Sequence, residues 1–315
     1  MTRLLLTGGA GFIGSQLART LVAEGYELRV LDKLTYAGRR EHLHGVDCEF
    51  IEGDVCDEDA VGAALEGCET VVHAAAESHV ERSLDDPGAF LRTNVEGTAV
   101  VLRQAVRAQV GRVLLLSTDE VLGELLGEAH PGPLAPLRPG NPYAASKAGA
   151  EALVHAWRKS FGLSAAIARC VNCYGPRQHP EKAVPWWARE ALDGFPVPVQ
   201  GLGSAKRDWL YVEDLARGIA RALERWEDGA TWHFAAHQPQ ANLAMARRVI
   251  AACAEHSGHR AQVSFLPERR GQDRAYALDD TLTRRDLDWA PQVDLDEGLR
   301  RTVAWIADEG RRLWS

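Results

Sequence analysis

The chain has 315 residues, is 46% hydrophobic and 25% charged, and carries a formal net charge of -8, a composition able to bury one large or two medium cores. The excess of acid argues against nucleic acid or an anionic membrane as the main partner, although it leaves room for a small anionic ligand in a locally basic pocket. No run of about 18 apolar residues occurs, so no membrane span is expected, and six scattered cysteines fit reduced core thiols in a cytoplasmic protein rather than a disulfide framework.

Arg3 opens the apolar run Leu4-Leu5-Leu6, which stops at Gly8-Gly9 rather than at a small-residue cleavage site. It reads as a first buried strand, Arg3 to Thr7, and not as a signal peptide. Gly8 to Gly14 reads as a turn opening a helix through about Glu24, followed by a second strand from Leu28 to Leu31 that ends at Asp32. Glu49 to Ile51, Thr70 to Ala74 and Arg112 to Ser117 are further strands of the continuous apolar kind found in parallel sheets. Helices are expected over Phe90 to Ala108 and Ala144 to Phe161, and a sixth strand over Ser164 to Cys170. Pro131 to Pro142 holds five prolines and reads as an extended loop at the active site. From Tyr174 the texture changes. Prolines 176, 180, 185, 196 and 198 break the pattern, and helices Val212 to Glu224 and Leu243 to His256 stand among short strands. The expected fold is α/β: a Rossmann-like doubly wound parallel sheet in residues 1–173, with a smaller α/β substrate-binding lobe in 174–315, some of whose segments cross back.

The first βαβ unit carries GxxGxxG at its turn, and Asp32 closes the next strand 18 residues beyond Gly14. Those glycines let the backbone approach a pyrophosphate at the helix N-terminus. Asp32 suits the adenosine ribose of NAD and would repel the 2′-phosphate of NADP, whereas Lys33 beside it offers a cation to the same region. Tyr143 and Lys147 lie one helical turn apart and face the same way, and an ammonium near a phenol favours the phenolate. With five lysines against 31 arginines in the chain, a lysine at this position is informative. Asp119 and Glu120 follow an apolar strand at the carboxyl edge, where α/β sheets bind ligands. Paired there, one carboxyl can stay protonated as an acid while the other is ionised as a base. Cys170 and Cys173 form a CxxC without a second pair, His42 and His44 an HxH without partners, so no metal is expected.

Thr7-Gly8-Gly9-Ala10-Gly11-Phe12-Ile13-Gly14, Ala76-Glu77-Ser78-His79-Val80-Glu81-Arg82-Ser83, Ser117-Thr118-Asp119-Glu120-Val121 and Tyr143-x3-Lys147 resemble the extended short-chain dehydrogenases. Within them the chain is most similar to the dTDP-glucose 4,6-dehydratases, which Leu34-Thr35-Tyr36-Ala37-Gly38 and Gln178-His179-Pro180-Glu181-Lys182 also resemble. The resemblance covers residues 1 to 220 and thins beyond. It implies that Thr118, Asp119, Glu120, Tyr143 and Lys147 are catalytic. It implies further that Gly8, Gly11, Phe12, Ile13, Gly14, Asp32, Lys33, Asp54, Val55, Ala74, Ala76, Asn94, Ser117, Tyr143, Lys147 and Cys170 hold NAD. Ser78, His79, Thr118, Asn172, Lys182, Arg207 and Arg269 would hold the nucleoside diphosphate sugar.

In the implied reaction Tyr143 takes the O4 proton, Glu120 the C5 proton, and Asp119 protonates the departing 6-hydroxyl. The resemblance also implies a homodimer joined through the helices near 90–108 and 144–161. Departures fall toward the sugar and nucleotide. The family tyrosine after Thr-Asp-Glu-Val is Leu122, the second asparagine of Asn-Asn-Tyr-Gly-Pro is Cys173, an asparagine before the phosphate-binding arginine is Ala205, and Arg269-Arg270-Gly271-Gln272-Asp273 replaces Arg-Pro-Gly-His-Asp. A nucleotide-sugar 4-epimerase, a uronic acid decarboxylase and a non-catalytic NAD sensor are the alternatives.

Overall fold

The computed structural model describes residues 2–127, 129–268 and 273–314. Seven parallel strands form the central sheet: β1 (Arg3–Thr7), β2 (Glu27–Asp32), β3 (Cys48–Glu52), β4 (Thr70–His73), β5 (Arg112–Thr118), β6 (Ala165–Cys170) and, from much later in the chain, β11 (Thr231–Phe234). Their spatial order is β11-β6-β5-β4-β1-β2-β3, reversing direction of growth between β1 and β4. Alternation along β1 divides the core. Leu4 and Leu6 pack on one face with Leu28, Val30, Leu114 and Leu116, while Leu5 packs on the other with Leu31, Val113 and Leu115. A strand buried on both faces needs no polar alternation, which is why these segments read as unbroken apolar runs.

Helices cover both faces. On one lie α1 (Phe12–Ala23) and α8 (Val212–Glu224), on the other α2 (Glu58–Leu65), α5 (Gly97–Arg107) and α6 (Pro142–Phe161). The expected single helix over 90–108 is longer and interrupted. After the short α3 (Val80–Asp85), helical structure runs through α4 (Pro87–Phe90), a π-helical stretch at Leu91–Glu96, and α5. The π turn is invisible to apolar spacing because it shifts the i→i−4 ladder by one residue. α6 starts at Pro142, two residues before the expected Ala144: Asn141 caps it by accepting from Ala144 N at 2.9 Å, and Pro142 fits the first turn, where no N–H partner is lost. Gly162, left-handed at φ 66°, ends it.

Beyond Tyr174 a second core forms around Tyr174, Trp187, Trp209, Met245, Val249, Leu299 and Ile306. Its elements are β7 (Asn172–Tyr174), α7 (Ala183–Leu192), β8 (Val197–Gln200), β9 (Lys206–Arg207), β10 (Trp209–Tyr211), β12 (Gln240–Ala241), α9 (Asn242–Ser257), β13 (Val263–Leu266), α11 (Leu295–Trp305) and α12 (Arg311–Trp314), whereas α10 (Thr281–Leu287) packs with β11 and α8 on the first core through Leu287. The prolines do not exclude helix here. Pro185 is the third residue of α7, whose early N–H groups have no intrahelical acceptor to lose. β11 pairs with β6, Thr231 opposite Ile167, and α8 packs on the same sheet face as α1. Among the described residues no helix is long and apolar enough to cross a membrane.

Candidate active site

A cleft of about 300 Å³ runs along the carboxyl ends of β1, β2, β4, β5 and β6, the edge where the reversal of strand order leaves a crevice. The glycine turn forms its floor. Gly8 has φ 71°, Gly11 N donates to Gly8 O at 3.2 Å, and a Cβ on Gly14 would meet Gly8 O at 2.0 Å. Only glycine permits the start of α1 to lie so close to the turn. Among the described residues no side chain caps α1, so its opening N–H groups can serve an anion. At the end of β2 the Asp32 carboxylate accepts from Ala10 N and Leu34 N, both at 2.9 Å, and each oxygen retains a further acceptor position. Burial foremost raises its pKa, against those two backbone donors.

The end of β5 turns sharply into the short 3-10 turn Asp119–Leu122. Thr118 Oγ1 accepts from Glu120 N at 3.3 Å and donates to Asp119 Oδ1 at 3.2 Å. Asp119 is 3% exposed, and burial, reinforced by the neighbouring Glu120 charge, pushes its pKa up to about 8. Glu120 Oε2 accepts from Asn141 Nδ2 at 2.9 Å and lies 3.5 Å from the Tyr276 hydroxyl, which donates to Asp273 Oδ2 at 2.6 Å. Thus the same asparagine caps α6 and holds the glutamate. Tyr143, in the first turn of α6, has its pKa held high by burial and then by Glu120, while the Thr118 hydroxyl acts in the opposite sense. Lys147 is buried and donates to Leu116 O at 2.7 Å rather than to the phenol. Burial lowers its pKa to about 8 even though Glu151 raises it.

The opposite wall comes from 172–182. Lys182 Nζ donates to Ser78 O at 2.8 Å, and Asn172, Cys173, Gln178, His179 and Glu181 line the cleft beside it. The Tyr36 hydroxyl donates to Oε1 of the cleft-lining Glu181 at 2.9 Å, with the Arg82 guanidinium stacked 3.6 Å above the Tyr36 ring.

The cleft gathers Gly8, Gly11, Phe12, Ile13, Gly14, Asp32, Lys33, Val55, Ala74, Ala76, Ser78, Ser117, Thr118, Asp119, Glu120, Tyr143, Lys147, Cys170, Asn172 and Lys182. Asp54, Asn94, His79 and Arg207 stand outside its lining. Asp54 pairs with Lys33 at 3.4 Å and caps Cys56 N. Asn94 ties Glu77 to Ser146, His79 Nδ1 accepts from Arg82 N at the start of α3, and Arg207 donates to Asp273 O while stacking on Tyr276. Arg269 lies outside the described residues. Sequence reasoning missed Asn141 and Tyr276. The first was signalled by Asn-Pro directly before the helix. The second, 156 residues from Glu120, had no local signal. A glycine-lined helix N-terminus with an acid at the next strand end fits NAD.

The NAD dependent epimerase/dehydratase family matches residues 4–235. The dTDP-glucose 4,6-dehydratase of Actinoplanes sp. is 39% identical, covering 99% of each chain, and that of Streptomyces griseus is 42% identical over 96% of this chain and 94% of its own. Among solved structures, dTDP-glucose 4,6-dehydratase DesIV from Streptomyces venezuelae, with NAD bound, superposes with a TM-score of 0.93 at 39% identity, covering 100% of this chain and 99% of that one. UDP-glucose 4-epimerase from Thermotoga maritima superposes with a TM-score of 0.90 at 29% identity, covering 100% of both.

Proposed function

The chain belongs to the NAD dependent epimerase/dehydratase family, and from that premise we propose that it is an NAD-dependent nucleotide-sugar 4,6-dehydratase. It converts a nucleoside diphosphate hexose, dTDP-glucose or a relative, to the 4-keto-6-deoxy sugar. One observation carries this reading beyond the family. A carboxyl held protonated, Asp119, adjoins a second carboxylate, Glu120, in the same cleft as Tyr143 and Lys147. Oxidation and return at C4, as in an epimerase, uses the tyrosine but gives an acid and a base nothing to do. Elimination of water needs both.

When bound, NAD supplies reversible hydride storage between C4 and C6 of the sugar. The Gly8–Gly14 turn and the N-terminus of α1 would hold its pyrophosphate, Asp32 would accept from a ribose hydroxyl, and Ser117, Lys147 and Cys170, which line the same cleft, would receive the nicotinamide end. On the substrate side Ser78, Asn172 and Lys182 hold the sugar and its diphosphate. The Tyr143 phenolate, which the buried Lys147 ammonium favours, takes the proton from O4 and becomes the neutral phenol, and the Thr118 hydroxyl orients that oxygen. With C4 a ketone, the C5 proton is acidified. Glu120 removes it, and Asp119 delivers its proton to the departing 6-hydroxyl, so that water leaves. A proton then returns to C5 as C6 is reduced.

Residues 1–173 chiefly bind the cofactor and 174–315 the sugar nucleotide. The protein works in the cytoplasm as a homodimer. Leu91, 53% exposed on the 87–107 helical run, and the exposed Phe161 at the end of α6 support pairing through those helices. Incubation with dTDP-glucose in deuterated water tests the activity. The expected product has lost one water and carries deuterium at C5. Unchanged mass with inversion at C4 would replace the reading with an epimerase, and carbon dioxide from a nucleotide-linked uronic acid alone would replace it with a decarboxylase.

A further inference from the structure

An ion pair that no step of this reaction uses is sealed beneath the cleft. Glu151, one turn beyond Lys147 on α6, is 0% exposed, and Arg169 on β6 is 3% exposed. Arg169 grips the carboxylate with two nitrogens, Nε to Oε1 at 3.0 Å and Nη2 to Oε2 at 2.7 Å. Glu151 Oε1 also accepts from Ser117 Oγ at 2.6 Å. The third nitrogen, Arg169 Nη1, donates to Pro133 O at 3.1 Å and to His233 Nε2 at 3.2 Å. That last contact requires a neutral imidazole with its proton on Nδ1, which donates to Asp279 O at 3.0 Å. Burial lowers the pKa of His233 to about 4 and keeps it so.

The contacts of the pair with Ser117 and Pro133 lead to proton-handling residues. Ser117 directly precedes Thr118-Asp119-Glu120. Pro133 lies in the proline-rich stretch that leads to Asn141, which holds Glu120, and to Tyr143. Glu151, one turn along α6 from Lys147, raises the pKa of that lysine against its burial. Stability does not account for such a pair, because apolar residues of similar volume commonly replace a buried ion pair at no cost or with a gain.

Resting on the reaction above, we propose that Glu151 and Arg169 are positioning residues: the pair keeps Lys147 an ammonium and locks the end of β5, the proline-rich stretch and α6 into one arrangement. The other groups around Lys147 are Tyr143 on its own helix, Cys170 on β6, His73 on β4 and the Leu116 carbonyl on β5. Against burial, Glu151 foremost and Cys170 after it raise the pKa of Lys147. His73 is kept neutral by burial, between the Thr7 and Thr98 hydroxyls.

The test follows the lysine directly. With only five lysines in the chain, the Lys147 side chain can be titrated by NMR of lysine-labelled protein, assigned with Lys147→Met. In Glu151→Gln the midpoint is expected to fall by at least tenfold in ionisation constant, since the anion is gone and the Arg169 cation stays. The alkaline limb of kcat should move down with it, and KM should change little. The double variant Glu151→Leu/Arg169→Met is expected to melt no lower than the parent and yet to lose tenfold or more in kcat. An unmoved Lys147 midpoint in Glu151→Gln overturns the proposal, as does full kcat in the double variant. Failure of the parent to dehydrate any sugar nucleotide would instead sink the reaction, leaving the lysine titration to decide the role of the pair.

Discussion

Asp119 is the residue at which stability and chemistry pull in opposite directions. In an unfolded chain its carboxyl ionises near pH 4, but in the fold it holds its proton to about 8. Between those values the native chain binds a proton that the unfolded chain has released, so its contribution to stability falls as pH rises from about 4 to about 8. Asp119→Asn, which keeps the shape and the contact with Thr118, is therefore expected to stabilise the protein by roughly 1 to 4 kcal/mol at pH 8 and by much less at pH 4.5. Denaturant unfolding at the two pH values measures this, and an equal effect at both would contradict the protonated acid. The same substitution should lower kcat by about 10² to 10⁴ and lead to accumulation of the 4-ketone or of exchanged substrate, because the leaving hydroxyl has lost its proton donor. In the parent enzyme kcat should decline as pH rises through about 8, where Asp119 loses its proton and Lys147 its charge. A profile flat to pH 10 would count against both assignments. Tyr143→Phe should abolish oxidation at C4 while leaving the fold cooperative.

At the scale of elements, the parts legible in the sequence are those whose signal is local. Leu4-Leu5-Leu6 and Val113-Leu114-Leu115-Leu116 announce buried strands by composition, and the Gly8–Gly14 turn with Asp32 announces the cofactor crevice by spacing. The π stretch at 91–96 escaped because apolar periodicity does not register a single shifted hydrogen bond, and α7 escaped because proline in a first turn looks like proline in a break. Tyr276 escaped because nothing near it in the chain indicates that it folds against Glu120. The junction that carries Arg207 is a further case. Buried Asp208, between β9 and β10, accepts from Ala236 N at 2.8 Å, His237 N at 2.9 Å and Gln238 N at 2.8 Å, tying that turn to the end of β11. Asp208→Ala orphans four backbone donors, these three and Trp209 N, which donates to Oδ1 at 3.1 Å, and is expected to destabilise by about 3 kcal/mol or more. The midpoint of urea unfolding checks this, and a loss below about 1 kcal/mol would show that the turn satisfies itself by other means. Pro185→Ala, by contrast, should change stability by less than about 0.5 kcal/mol, since the first turn of α7 donates nothing there.

At the scale of the whole molecule, the two halves of the chain share one core. Leu4, Leu17 and Val30 from the first strands and α1 pack in the same cluster as Leu215 and Ile219 from α8, and Phe234 and Trp289 from later still. The nearly all-apolar inner face of α8 is thus spent on the cofactor half rather than on the lobe that follows it in sequence. This arrangement has a consequence for how the protein is born. A ribosome that has made residues 1–173 has produced six strands whose outer member, β6, presents an unpaired edge, because its partner β11 has yet to be translated. The nascent sheet must wait some sixty residues for its last strand and for the helix that covers its flank. A fragment ending at residue 173 is therefore expected to aggregate or to lack a cooperative melting transition, whereas one extended through residue 290 recovers both edge and cover. Soluble, sharply melting 1–173 would show that the missing strand is dispensable.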